Sequence, residues 1–114
     1  SLFIDPNRDQ IDAAAACGAP AIELHTGEYA LAANEQSRGS ELARLSDCTR
    51  YATSLGLIVN GGHGLHYHNT ADVAAIPGMN ELNIGHAIIA RALMTGIKEA
   101  VGEMRQLIDR ATRR

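Results

Sequence analysis

The sequence predicts a parallel α/β sheet, and three observations carry that expectation. Apolar runs of strand length recur along the chain, among them 57–59 and 82–84. These two runs lead into glycine-bearing turns, Asn60-Gly61-Gly62-His63-Gly64-Leu65 and Asn83-Ile84-Gly85-His86, each followed by a helical pattern. Strand, loop and helix repeat in that order, as parallel βαβ units require. Glycine removes a Cβ where a ligand approaches the backbone, and it permits positive φ. In a (β/α)8 barrel the loops after strands 7 and 8, with the N-terminus of a short extra helix, commonly hold phosphate.

Taken in order, Ser1-Leu2-Phe3-Ile4 reads as a strand that starts at the first residue without an initiator Met, so the start is expected to be a cut. Asp5 then serves as N-cap with Pro6 in the first helical position, where its missing N–H costs nothing. Ile11, Ala14, Ala15 and Cys17 or Gly18 continue at helical spacing until Gly18-Ala19-Pro20 ends the helix. Ala21-Ile22-Glu23-Leu24-His25 is the second strand, with Ile22 and Leu24 on one face and Ala21, Glu23 and His25 on the other. A parallel strand covered on both faces normally reads as a continuous apolar run. A carboxylate and an imidazole on one face therefore leave two readings open: an edge strand with one wet face, or Glu23 inside a polar barrel mouth.

Residues 26–40 form a longer polar connection, read as a substrate-covering loop or as a merely variable one. A helix follows with Leu42, Leu45, Cys48, Ala52 and Leu55 on one stripe and Gly56 at its end. Its start falls between Asn34 and Ser40, because Gly39 weakens a helix that spans it by about 1 kcal/mol. The third strand is 57–60, and Asn69 or Thr70 caps a short helix through Ile76, stopped by Pro77-Gly78. Glu81-Leu82-Asn83-Ile84 is the fourth strand, with Glu81 and Asn83 on its polar face. A short helix over 87–95, a break at Gly96 and an amphipathic helix over 97–111 complete the pattern. The chain thus reads as four β-α units and an extra helix, with no interdomain linker.

Composition narrows the function classes. A chain of 114 residues holds one domain with a modest core, about half the roughly 250 residues of a complete barrel. A net charge of −3 argues against nucleic-acid binding, which calls for a basic face. The basic run from Arg110 to Arg114 is read as a solvated helix end near the negative pole of its dipole. Cys17 and Cys48 form no CxxC pair, and both fall in helical patterns. They are expected to be buried free thiols, in keeping with a reducing cytoplasm. No apolar run reaches the roughly 18 residues of a membrane helix, and no secretory leader is visible.

The chemistry concentrates in the two glycine turns. His63, between Gly62 and Gly64 at a strand end, is placed to act as an acid or base near neutral pH. Amides at Gly64, Gly85 and His86 are candidates to cradle a phosphate, with helix capping or packing as the plainer role for His86. A competing constellation is His63, His66 and His68 with Asp72, since clustered imidazoles and a carboxylate can bind zinc. Those histidines sit on a turn with no scaffold to fix three nitrogens, and solvated side chains are the blander account of His66 and His68.

Several motifs in one order also carry a resemblance. They are Ser1-Leu-Phe-Ile-Asp5, Ile22-Glu-Leu-His-Thr-Gly27 with Tyr29-Ala30, Asn60-Gly-Gly-His-Gly-Leu65 with Tyr67-His-Asn69, and Glu81-Leu-Asn-Ile-Gly-His-Ala-Ile-Ile89. Together they resemble the C-terminal half of the pyridoxine 5′-phosphate synthase family, from end to end of the chain. The resemblance implies a (β/α)8 (TIM) barrel to which this chain supplies strands 5 to 8. It implies condensation of 1-deoxy-D-xylulose 5-phosphate with 3-amino-1-hydroxyacetone 1-phosphate, giving pyridoxine 5′-phosphate, inorganic phosphate and water in vitamin B6 synthesis. By the same resemblance His63 is a catalytic proton donor, Glu23 stabilises a transition state, and Gly64, Gly85 and His86 bind the phosphorylated ligand. Neither metal nor organic cofactor is implied. The implied partners are phosphorylated small molecules and further copies of the chain, in the cytoplasm, without nucleic acid or membrane.

The sequence departs from that pattern at His66, and Glu28 and Gly61 fall at positions that look variable. The family's other general base, its second catalytic histidine and further phosphate contacts belong to the N-terminal half, so these residues describe half an active site. A non-catalytic phosphate-binding fragment and a metal-dependent TIM-barrel hydrolase using His63, His66 and His68 are the alternatives. The chain alone is expected to be inactive and to self-associate.

Overall fold

A computed structural model describes residues 1–113, and Arg114 of the basic run lies outside them. Four parallel strands, β1 (Leu2–Ile4), β2 (Ala21–His25), β3 (Ile58–Gly62) and β4 (Met79–Asn83), form one sheet in the order β1-β2-β3-β4. The helices are α1 (Arg8–Ala16), α2 (Gly27–Ala30), α3 (Glu35–Ser54), α4 (Thr70–Ala74), α5 (His86–Thr95) and α6 (Ile97–Thr112). Sequential order across a parallel sheet, with helices between strands, is compatible with part of a (β/α)8 barrel.

The period-2 pattern of β2 decides which face the helices cover. Ile22 and Leu24 are fully buried and join Val59 of β3, Ile11 of α1, Leu45, Cys48 and Ala52 of α3, and Val73 in one core. On the opposite face Phe3 and Ile58 remain about half exposed, at 54% and 50%. That face also carries Glu23, Asn60 and Glu81, which are paired in register across β2, β3 and β4. One face is thus an apolar floor under helices, and the other is a polar surface with apolar patches. β2 lies between two strands, so its polar face does not come from an edge position. The edges are β1 and β4.

Several boundaries differ from the sequence reading, each for a local reason. The N-cap of α1 is Asn7, not Asp5: its Oδ1 accepts from the N–H of Asp9 at 2.8 Å and of Gln10 at 3.4 Å. Pro6 biases the residue before it towards extended backbone, which delays the helix. Cys17 is the C-cap of α1 and is exposed, whereas Cys48 is buried as expected. The stretch 26–40 is not one loop. It contains α2, and α3 begins at Glu35, within the expected bounds, because Asn34 Oδ1 accepts from Ser37 N–H at 2.8 Å. Gly39 therefore sits inside α3, its propensity cost offset by that cap and by packing. β3 runs on through Gly61 and Gly62, and α5 begins one residue early, at His86. No helix among the described residues is long and apolar enough to cross a membrane.

Candidate functional site

The strands all end on one rim, and a cleft of about 500 Å3 opens there. Its wall brings together five residues singled out from the sequence: Glu23, His63, Gly64, Gly85 and His86. Phe3, Leu65, His66, Asn83 and Ala87 add to it. Residues from β1, β2, β4 and two loops meet because a parallel sheet directs every C-terminal strand end the same way.

Glu23 is half-buried, and its Oε1 accepts from Asn83 Nδ2 at 2.6 Å, a bond between residues sixty apart in sequence. The space for that carboxylate exists because residue 62 is glycine. A Cβ there would stand 2.6 Å from Glu23 Oε2 and 3.0 Å from the Asn83 carbonyl. Glycine at this position therefore lets β2 and β4 side chains meet across β3.

His63 leaves the end of β3 with φ 90°, the one non-glycine residue at positive φ among the described residues. Such a backbone costs on the order of 1–3 kcal/mol and persists only where neighbours hold it. Here Thr26, fully buried, donates its hydroxyl to the His63 carbonyl at 2.6 Å, while its N–H donates to the Gly62 carbonyl at 2.9 Å. Gly64 follows at φ 78°. Beyond it Asn69 receives the His66 N–H at 2.7 Å and donates to the Gly64 carbonyl at 3.2 Å. Asn69 is the N-cap residue of α4, as expected, but its side chain braces the loop and makes no bond to the helix. Tyr29, buried in α2, donates to the Asn69 carbonyl at 2.6 Å and ties the loop to the core. Its hydroxyl accepts from Arg38, whose guanidinium is held further into the protonated range by that bond.

At the other side of the cleft Gly85 is the N-cap of α5 and contributes no side-chain cap. The first amides of a helix have no intrahelical acceptor, and they mark its positive dipole end. Gly85, His86 and Ala87 present that end to the cleft.

The zinc-like cluster does not form. His66 Nδ1 accepts from the His68 N–H at 3.1 Å, and the two rings lie edge to face 6.0 Å apart. Among the described residues no three His, Cys, Asp or Glu side chains converge as metal ligands. Asp72 instead pairs with Arg38 at 3.4 Å.

Asn83, Phe3 and Thr26 were not picked out beforehand. Alternation in the fourth strand already sets Asn83 on the polar face, whereas Leu2-Phe3-Ile4 is apolar throughout and the face of Phe3 follows only from its register with Glu23. Nothing local marked Thr26, whose partner lies 37 residues away.

With this geometry in view, comparison with known proteins is decisive. Residues 1–110 match the family model described as pyridoxal phosphate biosynthesis protein PdxJ. The chain belongs to the PdxJ family. Among PdxJ relatives, a pyridoxine 5′-phosphate synthase of Idiomarina loihiensis is 60% identical over 111 residues, covering 97% of this chain and 46% of that protein. Synthases of Legionella pneumophila (strain Corby) and Alcanivorax borkumensis are 60% and 61% identical, covering 97% and 96% of this chain and 45% of each relative. The chain spans about half the length of the curated relatives it matches.

Proposed function

We propose that this chain is the strand 5 to 8 half of a (β/α)8 barrel, and that the full-length protein is a pyridoxine 5′-phosphate synthase. The carrying observation is the cleft at the strand ends, where Glu23, His63, Gly64, Gly85 and His86 meet. The names of the 60% identical relatives support the same reading. The sheet supports the barrel: its bare polar face, with Phe3 and Ile58 half exposed, matches a surface that opposing strands would cover.

In this reading the substrates are 1-deoxy-D-xylulose 5-phosphate and 3-amino-1-hydroxyacetone 1-phosphate. The helix end at Gly85 and His86, with the Gly64 amide, holds a phosphate by N–H donation and dipole attraction. His63 moves a proton in the enolisation and dehydration steps, for which an imidazole suits neutral pH. Glu23 places a negative charge beside the cationic imine that condensation of an amine with a ketone creates. The Asn83 amide fixes that carboxylate in one orientation, so no reorganisation is needed as charge develops. The other general base, the second catalytic histidine and the remaining phosphate contacts belong to the other half of the barrel.

The test is His63→Asn in the full-length protein. Turnover is expected to fall by about 10²-fold or more with the thermal transition unchanged, the usual scale for a lost acid or base. Near wild-type turnover removes His63 from the mechanism.

A further inference from the structure

Three successive residues from the end of β2 onward converge on His63. His25 Nδ1 accepts from the Gly27 N–H at 3.0 Å, so the neutral ring carries its proton on Nε2 and its orientation is fixed. That ring meets His63 at 4.6 Å between centroids with 34° between planes, and Phe3 at 5.0 Å with 47°. Both separations fall in the range of favourable aromatic pairs. Thr26 holds the His63 carbonyl from below. Both rings crowd Gly27: a Cβ there would stand 2.3 Å from His25 Cε1 and 3.1 Å from His63 Cδ2.

Among the described residues no hydrogen bond holds the His63 imidazole, and the residue is exposed. A side chain so placed would sample several rotamers, and proton transfer falls off steeply when a group is misaimed by an ångström. Among the described residues the one ring–ring contact of His63 is with His25. His25 itself does not line the cleft, although its two ring neighbours, Phe3 and His63, do.

We propose that His25 is a positioning residue for His63: anchored on the Gly27 N–H, its imidazole is the surface against which the His63 ring is aimed into the cleft. The proposal rests on the reading of His63 as the proton-transfer group. Phe3 extends the same stack on its other neighbour, which gives β1 a part in aiming a loop after β3.

The test uses the full-length protein with His25→Ala, His25→Phe, His63→Asn and the double variant His25→Ala/His63→Asn. His25→Ala is expected to lower kcat about tenfold with KM within about twofold, because binding groups are untouched. His25→Phe keeps an aromatic surface and loses the Nδ1 acceptor, and it is expected to recover most of that kcat. In the His63→Asn background His25→Ala should have no further effect, since it acts only through the imidazole. Side-chain NMR of His63 reads the aim directly, with one rotamer in the parent and averaged couplings in His25→Ala. Unchanged kcat in His25→Ala beside an inactive His63→Asn overturns the proposal alone. An equal loss from His25→Ala in both backgrounds also overturns it. Wild-type turnover in His63→Asn defeats the parent reading instead, and the NMR arm still decides whether His25 orients the ring. If His25→Ala does not fold, His25→Asn carries the test, because it keeps an acceptor for the Gly27 N–H and removes the ring face: averaged His63 couplings support the proposal, and a single rotamer overturns it.

Discussion

Gly61 and Gly62 are neighbours in β3, yet adding one methyl group to each should have opposite consequences. At Gly61 a Cβ enters the helix-covered face and meets Met79 Sδ at 3.4 Å and Leu82 Cδ2 at 3.5 Å, ordinary contacts with flexible side chains. At Gly62 it enters the polar face 2.6 Å from Glu23 Oε2 and 3.0 Å from the Asn83 carbonyl. The second of these is backbone of the neighbouring strand, so relief falls on Glu23, which must leave Asn83. Overpacking costs about 1–3 kcal/mol. The lost Glu23–Asn83 bond adds about 1 kcal/mol, less than the roughly 1.5–3 kcal/mol usual for a charged partner because water reaches this half-buried site. A total of about 2–4 kcal/mol corresponds to a Tm drop of about 5–15 °C in a protein of barrel size. Turnover should fall with it, since the carboxylate is displaced. Thermal unfolding followed by circular dichroism, with a pyridoxine 5′-phosphate assay, measures both in the full-length protein. Gly61→Ala should stay within about 1 kcal/mol of the parent. Equal Tm values for the two variants, or wild-type turnover in Gly62→Ala, would refute the close approach of β2 and β4 across residue 62.

Other expectations follow from the same geometry. Glu23→Gln keeps an acceptor for Asn83 and removes the charge, so turnover of bound substrate should drop far more than affinity for the phosphorylated product; calorimetry showing collapsed binding with unchanged turnover would make the role positional. Cys17 is exposed, while burial pushes the Cys48 thiol above its ordinary range. Iodoacetamide at pH 8 should therefore label Cys17 first, and mass spectrometry that finds Cys48 labelled at an equal rate would contradict the packing of α3. The 114-residue chain by itself should sediment as a dimer or larger species, because β1 and β4 are open edges and the polar face exposes Phe3 and Ile58. A well-folded monomer in analytical ultracentrifugation would count against that, and pyridoxine 5′-phosphate formation by it would count against the split of the site between two halves.

Much of the architecture was legible from local pattern alone. Alternation in Ala21-Ile22-Glu23-Leu24-His25 assigned the buried and polar faces correctly, because side-chain direction in a strand depends only on parity. The glycine turns after two strands located the rim, and His63, Gly64, Gly85 and His86 do share a cleft with Glu23. Boundaries were less legible where two cap residues competed. Asp5 and Asn7 are equally good caps in isolation, and the chain path around Pro6 made the choice. Cys17 looked buried because its spacing is helical, but the helix ends just before it.

The contacts that aim the site belong to the tertiary structure. That β2 is internal, that Gly62 lies beside Asn83 and His25 in register, and that Asn83 reaches Glu23 all depend on which strands pair and with what offset. Periodicity states which face a residue occupies but carries no information on the offset between strands, which helix packing and crossover length set together. The stack of Phe3, His25 and His63 joins three separate segments of the chain in the same way. Residue type and parity were enough to nominate the chemistry; the distances at which these groups meet arise only once the sheet has closed on its core.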